Sequence, residues 1–226
     1  MMRNSEFDLN NQTVRDLNAA LHAAEEGGFT VLNSNGAHAL ACGVTAPLDI
    51  TIKGHVGYYC AGMNQHADLR VEGNAGTGFA ENIMSGRAHL TGNASQSLAA
   101  TGCGGLVVVE GSAAARAGIS SRGVNIVVGG DVGHMAGFMA QAGRLVVLGN
   151  AGAGLGDSIY EAEIFVRGKV AELGADCEEK PMDASSKAVV ADLLEQAGMK
   201  ADPSDFKRYG SARKLYHFSI DNMDDY

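Results

Sequence analysis

The chain has 226 residues, a formal net charge of −9 at pH 7 and 46% apolar residues. That is enough apolar material for a packed domain, without the basic footprint that nucleic acid or an anionic membrane surface requires. No basic run exceeds two residues and no apolar stretch approaches the ~18 residues of a membrane span, so neither a nucleic-acid nor a membrane partner is expected.

Thirty-one glycines accompany only 3 prolines, about twice the ordinary ~7% share of glycine. Much glycine with little proline is unlike a flexible linker or a collagen and points to many tight corners in regular structure. The N-terminus, Met-Met-Arg-Asn-Ser-Glu-Phe-Asp, has no apolar signal core. The four cysteines, Cys42, Cys60, Cys103 and Cys177, form no C-x-x-C pair and no zinc or iron–sulfur spacing. A cytoplasmic protein with reduced thiols is therefore expected.

In chain order, residues 13–26 come first, with Val14, Leu17, Leu21 and Ala24 at helical spacing. Thr13 is the expected N-cap, and Gly27-Gly28 the expected end. A set of short apolar runs follows, each closed by a glycine: Gly54, Gly73, Gly92, Gly111, Gly130, Gly149 and Gly168, spaced 19 residues apart every time. A degenerate earlier copy is visible at Thr30-Val31-Leu32 with Gly36, one residue out of phase.

Two residues before each glycine stand Ile52, Val71, Leu90, Val109, Val128, Val147 and Val166; four before it stand Ile50, Leu69, Ala88, Val107, Ile126, Leu145 and Ile164. Two apolar columns two residues apart form one face of a strand, and their β-branched content suits it. Three and seven residues past the glycine every side chain is small, as stacked corners require. A 19-residue unit is too short for a helical repeat. It lacks the fixed asparagine ladder and regular leucines of a leucine-rich repeat, and it fits a coil of two or three short strands stacking at about 4.8 Å.

After the repeat, residues 186–197 read as a second helix closed by Gly198, and the tail from Pro203 is aromatic (Phe206, Tyr209, Tyr216, Phe218) and then acidic. Both flanks are expected to cap the open ends of the solenoid. The expected domains are 1–35, an N-terminal helix and cap; 36–175, the β-helix; and 176–226, a C-terminal helix and tail.

The chemical signals are weak. Gly149-Asn-Ala-Gly152-Ala-Gly154-Leu-Gly156 lacks the third glycine of a dinucleotide fingerprint, and its glycines recur in coils where no cofactor repeats. The histidines fall in different columns, which argues against a metal site. Among the glycine-following residues only Asp131 is acidic, which excludes a calcium β-roll. Cys103 has no histidine in register to activate it. No catalytic, cofactor or metal residue is assigned to the chain. One column does stand out: three residues before the glycine, the outward positions run Thr51, Arg70, His89 and then Val108, Val127, Val146, Phe165. Four apolar residues facing outward require a cover, either the chain's own tail or a partner subunit at an interface.

The grid G-x-x-G-x-x-x-G is complete at Gly130-Asp-Val-Gly133-His-Met-Ala-Gly137 and at Gly149 to Gly156. Its first half stands at Gly54-His-Val-Gly57 and Gly73-Asn-Ala-Gly76. Over about residues 36–175 it resembles the GXGXG β-helix domain at the C-terminal end of the glutamate synthase large subunit, a domain also similar to one in formylmethanofuran dehydrogenase. As a separate chain ending in RYGSARKLYHFSIDN, it looks like the β-helix subunit of N-methylglutamate synthase.

The resemblance implies an all-β solenoid, a right-handed parallel β-helix of about seven 19-residue coils with short flanking helices. It further implies an assembly subunit with no active site of its own, between a class II amidotransferase-like subunit and an FMN-binding glutamate synthase-like subunit. FMN and an iron–sulfur cluster would lie on that last partner, and the complex would exchange methylamine and ammonia on glutamate. An ordinary ammonia-transferring glutamate synthase is the alternative. A free-standing carbohydrate-active β-helix enzyme would need clustered acids or bases on one strand face, which no column supplies.

Overall fold

The computed structural model describes residues 4–214. The expected tail residues Tyr216 and Phe218 lie outside them. Each short apolar run becomes a strand: β1 (Asn4–Asp8), β2 (Gly27–Leu32), β3 (Leu48–Lys53), β4 (Asp68–Glu72), β5 (Arg87–Leu90), β6 (Leu106–Val109), β7 (Arg122–Val128), β8 (Ala142–Val147) and β9 (Glu163–Val166). They lie side by side in chain order, all parallel. From β3 to β9 the partners are 19 residues apart, as in Ile50–Leu69–Ala88–Val107–Ile126–Leu145–Ile164. The chain is an all-β parallel solenoid of about seven turns with two short helices.

Both inward columns are buried along the whole rod, with no member more than 4% exposed. A second ladder of single bridges runs two residues past each glycine, through Val56, Ala75, Ala94, Ala113, Val132, Ala151 and Val170. Further inward positions lie six past the glycine (Cys60, Phe79, Leu98, Ala117, Ala136, Leu155). These vary from alanine to phenylalanine, so the sequence does not mark them as a column.

The repeating glycines have a more specific cause than corner geometry. Of the seven, only Gly54 has a left-handed φ, at 107°. The others stack backbone on backbone: Gly92 N–H donates to Gly73 O at 2.9 Å, Gly111 to Gly92 at 3.1 Å, Gly130 to Gly111 at 2.8 Å, Gly149 to Gly130 at 3.0 Å and Gly168 to Gly149 at 2.9 Å. A Cβ on Gly73 would stand 2.5 Å from the Gly54 carbonyl oxygen, which no side chain tolerates. Left-handed φ values appear instead five, seven and nine residues past the glycine, at Tyr59, Ala61 and Met63 in one coil and at Ser97, Ala99 and Thr101 in another. This alternation aims successive N–H groups up and down the stack: Tyr59 to Thr77 O, Ala61 to Leu40 O, Met63 to Glu81 O.

Directly after the glycines runs a polar ladder that the sequence does not announce, because its residue type changes. The backbone N–H of Asn74 donates to His55 Nδ1 (2.9 Å), Asn93 N–H to Asn74 Oδ1 (2.8 Å) and Ser112 N–H to Asn93 Oδ1 (2.8 Å). Asp131 N–H then donates to Ser112 Oγ (3.0 Å), Asn150 N–H to Asp131 Oδ1 (2.6 Å) and Lys169 N–H to Asn150 Oδ1 (2.9 Å).

Helix α1 (Val14–Ala23) starts at Thr13, whose hydroxyl accepts from Asp16 N–H while the Asp16 carboxylate accepts from Thr13 N–H, a capping box. It ends at Ala24 in extended conformation, and Gly27-Gly28 open β2 instead of closing the helix. Leu17 and Leu21 seal the core. Asn18 stands in for the coil that would precede the first: its Nδ2 donates to Ala39 O at 2.8 Å and its Oδ1 accepts from Ala41 N–H at 2.9 Å.

The parallel sheet thus begins at Asn4, well before the expected boundary at residue 36. The far end is closed by β11 (Lys207–Ser211), antiparallel to β9, with β10 (Cys177–Lys180) antiparallel beyond it. Helix α2 (Ala184–Ala197) starts two residues before the expected 186, because Asp183 caps it by accepting from Ser186 N–H. It ends on Gly198 in left-handed conformation, as the sequence indicates.

Two measurements check this architecture. Val128 is fully buried, so Val128→Asp leaves an unpaired carboxylate in the core and is expected to lower unfolding free energy by about 3–5 kcal/mol in urea melts. Asn93→Ala removes the acceptor for Ser112 N–H at an exposed rung and is expected to cost about 0.5–1.5 kcal/mol.

Candidate functional site

The outward stripe predicted as an interface, Val108, Val127, Val146 and Phe165, is not a free surface. All four are fully buried, packed with Val190, Leu193, Leu194 and Ala197 of α2 and with Phe206. The cover is the chain's own C-terminal segment. An amphipathic helix laid across β6–β9 buries on both faces a strand that would otherwise expose Val or Phe, which is why β6 reads Leu-Val-Val-Val without alternation.

Where α2 stops, the outer sheet face changes character. Arg70 of β4, Arg87 and His89 of β5 and Glu110 line a cleft of about 430 Å³, together with Asp68 and with Ala197, Gly198 and Met199 at the helix end. His89 Nε2 lies 2.8 Å from Glu110 Oε1, and Nδ1 lies 3.1 Å from Arg70 Nη1. An arginine only donates, so Nδ1 accepts and Nε2 carries the proton. The His89 pKa lies below its ordinary 6.5 because burial disfavours the imidazolium, with the two arginines adding to this; the hydrogen bond to Glu110 acts the other way. Arg70 also reaches Glu110 Oε1 at 3.5 Å.

The large apolar side chains that remain exposed gather elsewhere. Tyr58 (52%), Tyr59 (51%), Met63 and Met84 (47% each) and Met139 (38%) all lie four to eleven residues past a coil glycine, on the corner segments. In the first coils the two tyrosines adjoin each other, and the Met63 and Met84 backbones lie close on successive coils. Tyr58 stacks on His38 at 4.6 Å and meets Tyr59 edge-on at 6.4 Å. Tyr59 lies over Gly78 of the next coil, and Met84 N–H donates to Asn64 O beside Met63. Corner positions vary in identity from coil to coil, so no sequence column flagged this face.

The other sequence candidates stay apart. His55 belongs to the polar ladder, His38 Nδ1 accepts from Tyr58 N–H, and His22 Nε2 contacts Cys42 O at 2.7 Å. Cys60 is fully buried and its thiol pKa is pushed far up by burial; that of Cys177 rises to about 11 for the same reason. Cys103 is exposed. Among the described residues no three His, Cys, Asp or Glu gather as a metal set, and no helix is long and apolar enough to cross a membrane.

Fold and surface together define a filled parallel β-solenoid, capped at both ends by its own flanks, with one helix-covered sheet face and one tyrosine- and methionine-bearing corner face. No protein-family model matches the chain. It is 55% identical over 225 residues to Protein GlxC of Rhizobium meliloti (strain 1021), covering 97% of this chain and 99% of that relative. The chain belongs to the GlxC family.

The His89 geometry gives a pH test. Because the folded pKa is lowered, the unfolded chain binds more protons in the window below 6.5. The stability His89 contributes is therefore complete above pH 6.5 and declines as pH falls through that window. An NMR titration is expected to place the His89 midpoint below 6.5, and Glu110→Gln to lower it further by removing the interaction that raises it.

Proposed function

We propose that the chain is the assembly subunit of an N-methylglutamate synthase-type complex, converting glutamate and methylamine to N-methylglutamate and ammonia. On this reading it holds a class II amidotransferase-like subunit and an FMN- and iron–sulfur-bearing synthase subunit in fixed relation, and contributes no reacting group itself. The reading rests on the resemblance of the glycine grid to the glutamate synthase β-helix. The observation that carries the assembly role is on the corner segments: Tyr58, Tyr59, Met63 and Met84 are half-exposed on adjacent coils of a hydrogen-bonded stack. Aromatic and methionine side chains of this kind are enriched in the cores of protein interfaces. The backbone beneath them is tied to neighbouring coils by hydrogen bonds, so a partner docking there finds a surface already ordered, which lowers the entropic cost of association.

The test is reconstitution from this chain and its two presumed partners, assayed for amine-dependent product with methylamine and with ammonia and followed by a flavin spectrum. The expected result is a stable ternary complex whose turnover is lost when this chain is omitted. Tyr59→Lys combined with Met63→Lys is expected to weaken the complex at least about tenfold, equivalent to about 1.4 kcal/mol. Turnover by the isolated chain, stoichiometric FMN on it, or full activity of the partners without it would each overturn the assembly role.

A further inference from the structure

The step at the end of α2 carries a chemistry that the assembly role does not use. Arg87 lies on β5 facing out of the solenoid, half-buried, and its Nε is enclosed without a hydrogen-bond partner. Its Nη2 approaches His89 Nδ1 at 3.4 Å, but that nitrogen accepts from Arg70 at 3.1 Å, so Arg87 competes for a lone pair already taken. Asp68, its register partner on β4, forms no ion pair with it, and among the described residues no carboxylate lies within 4.0 Å of the Arg87 guanidinium. A partly desolvated guanidinium with five donors and at most one poor acceptor is an incomplete arrangement. A charged donor left unsatisfied costs more than a neutral one.

The neighbours set the class of ligand that completes it. Arg70 and Arg87 bring two positive charges to the cleft, Asp68 and Glu110 two negative ones, and His89 is neutral at pH 7 in the hydrogen bonding described above. With no excess of positive charge to offset it, the desolvation cost of an anion decides, and that cost is much larger for a dianion such as phosphate than for a single carboxylate. A single carboxylate matches the planar fork of Arg87. Ala197 and Met199 also line the cleft, an apolar contribution that suits a short aliphatic chain. The volume of about 430 Å³ is within the range of small-molecule sites.

We propose that this cleft binds a short-chain aliphatic monocarboxylate, its carboxylate on Arg87 with Arg70 beside it and its aliphatic stem against Ala197 and Met199. The site lies on the outer sheet face, apart from the tyrosine and methionine corner face, and does not depend on the assembly role.

The experiment uses the full chain, with NMR signals from the Arg87 Nε–H, the His89 ring and the Met199 methyl, and butyrate as the probe. Butyrate is expected to shift all three saturably with a dissociation constant of about 1–10 mM and to raise the His89 midpoint. Acetate should bind more weakly, and inorganic phosphate and chloride should give no saturable change. Arg87→Met is expected to weaken butyrate at least about tenfold at an unchanged melting temperature. Should that variant unfold, the wild-type Arg87 Nε–H shift and the selectivity over phosphate decide alone. Absence of saturation below about 100 mM, roughly −1.4 kcal/mol, an equal response to phosphate, or unchanged affinity in folded Arg87→Met would overturn the proposal.

Discussion

Everything in this molecule follows from the requirement that each coil satisfy its backbone against the coils above and below it. In a closed helix or a hairpin a segment pairs with its sequence neighbours; here the partner is one turn away, 19 residues along from β3 to β9. The glycine-to-glycine hydrogen bonds at 2.8–3.1 Å mark where this requirement is tightest, since a Cβ there would enter the carbonyl of the preceding coil. The polar ladder beside them meets the same need with side chains, each rung accepting the next coil's N–H. The ends obey it too. Asn18 bonds Ala39 and Ala41 where no earlier coil exists, and β11 turns antiparallel to close β9. Edges left bare would recruit other strands.

That requirement also separates what could be read from the sequence from what could not. A glycine every 19 residues and two apolar columns are absolute demands of stacking, so they persist in every coil from β3 to β9 and fix the fold. The α2 C-cap was legible at Gly198 for a similar reason, because a left-handed stop favours glycine. The polar ladder escaped because several residue types supply the same acceptor: His55, Asn74, Ser112 and Asp131 share a role without sharing a letter. The inward column from Cys60 to Leu155 escaped because its size varies with its neighbours. The outward stripe was legible as something needing a cover, but strand parity alone says nothing of which chain supplies it. The structure places α2 there, leaving the charged residues of β4 and β5 outside the helix.

The length of α2 therefore divides the outer sheet face. Over β6–β9 valines and a phenylalanine lie beneath leucines, and every member of the stripe is excluded from water. Burial at about 25 cal/mol per Å² makes this second core a substantial share of what anchors the C-terminal segment. One strand further toward the N-terminus the same outward column turns to His89 and Arg70, and the helix has ended. The transition from apolar to charged in a single column thus encodes the position of the helix end, and the cleft is the step between the two levels.

The corner segments present the opposite case, in which side chains occur where the backbone would favour their absence. Five residues past the glycine the backbone is left-handed in each coil from Tyr59 to Gly154, and the column reads Tyr59, Gly78, Ser97, Arg116, Met135, Gly154. Glycine adopts that conformation freely, whereas other residues pay roughly 1–2 kcal/mol. Gly78 and Gly154 show that glycine fits the column. Stacking therefore does not account for Tyr59 at this position, half-exposed and making no contribution to the core. Nine residues past the glycine, Asn82 tolerates the left-handed region better than the methionines at Met63 and Met139. Two strained positions in one coil, Tyr59 and Met63, carry large exposed apolar groups where the next two coils carry Gly78 and Asn82, then Ser97 and Thr101. That side-chain identity is disfavoured by both the backbone and the solvent, and nothing in the stacking of the described coils compensates for it. This is why the proposed assembly role rests on the corner segments and not on the stripe, which α2 already covers.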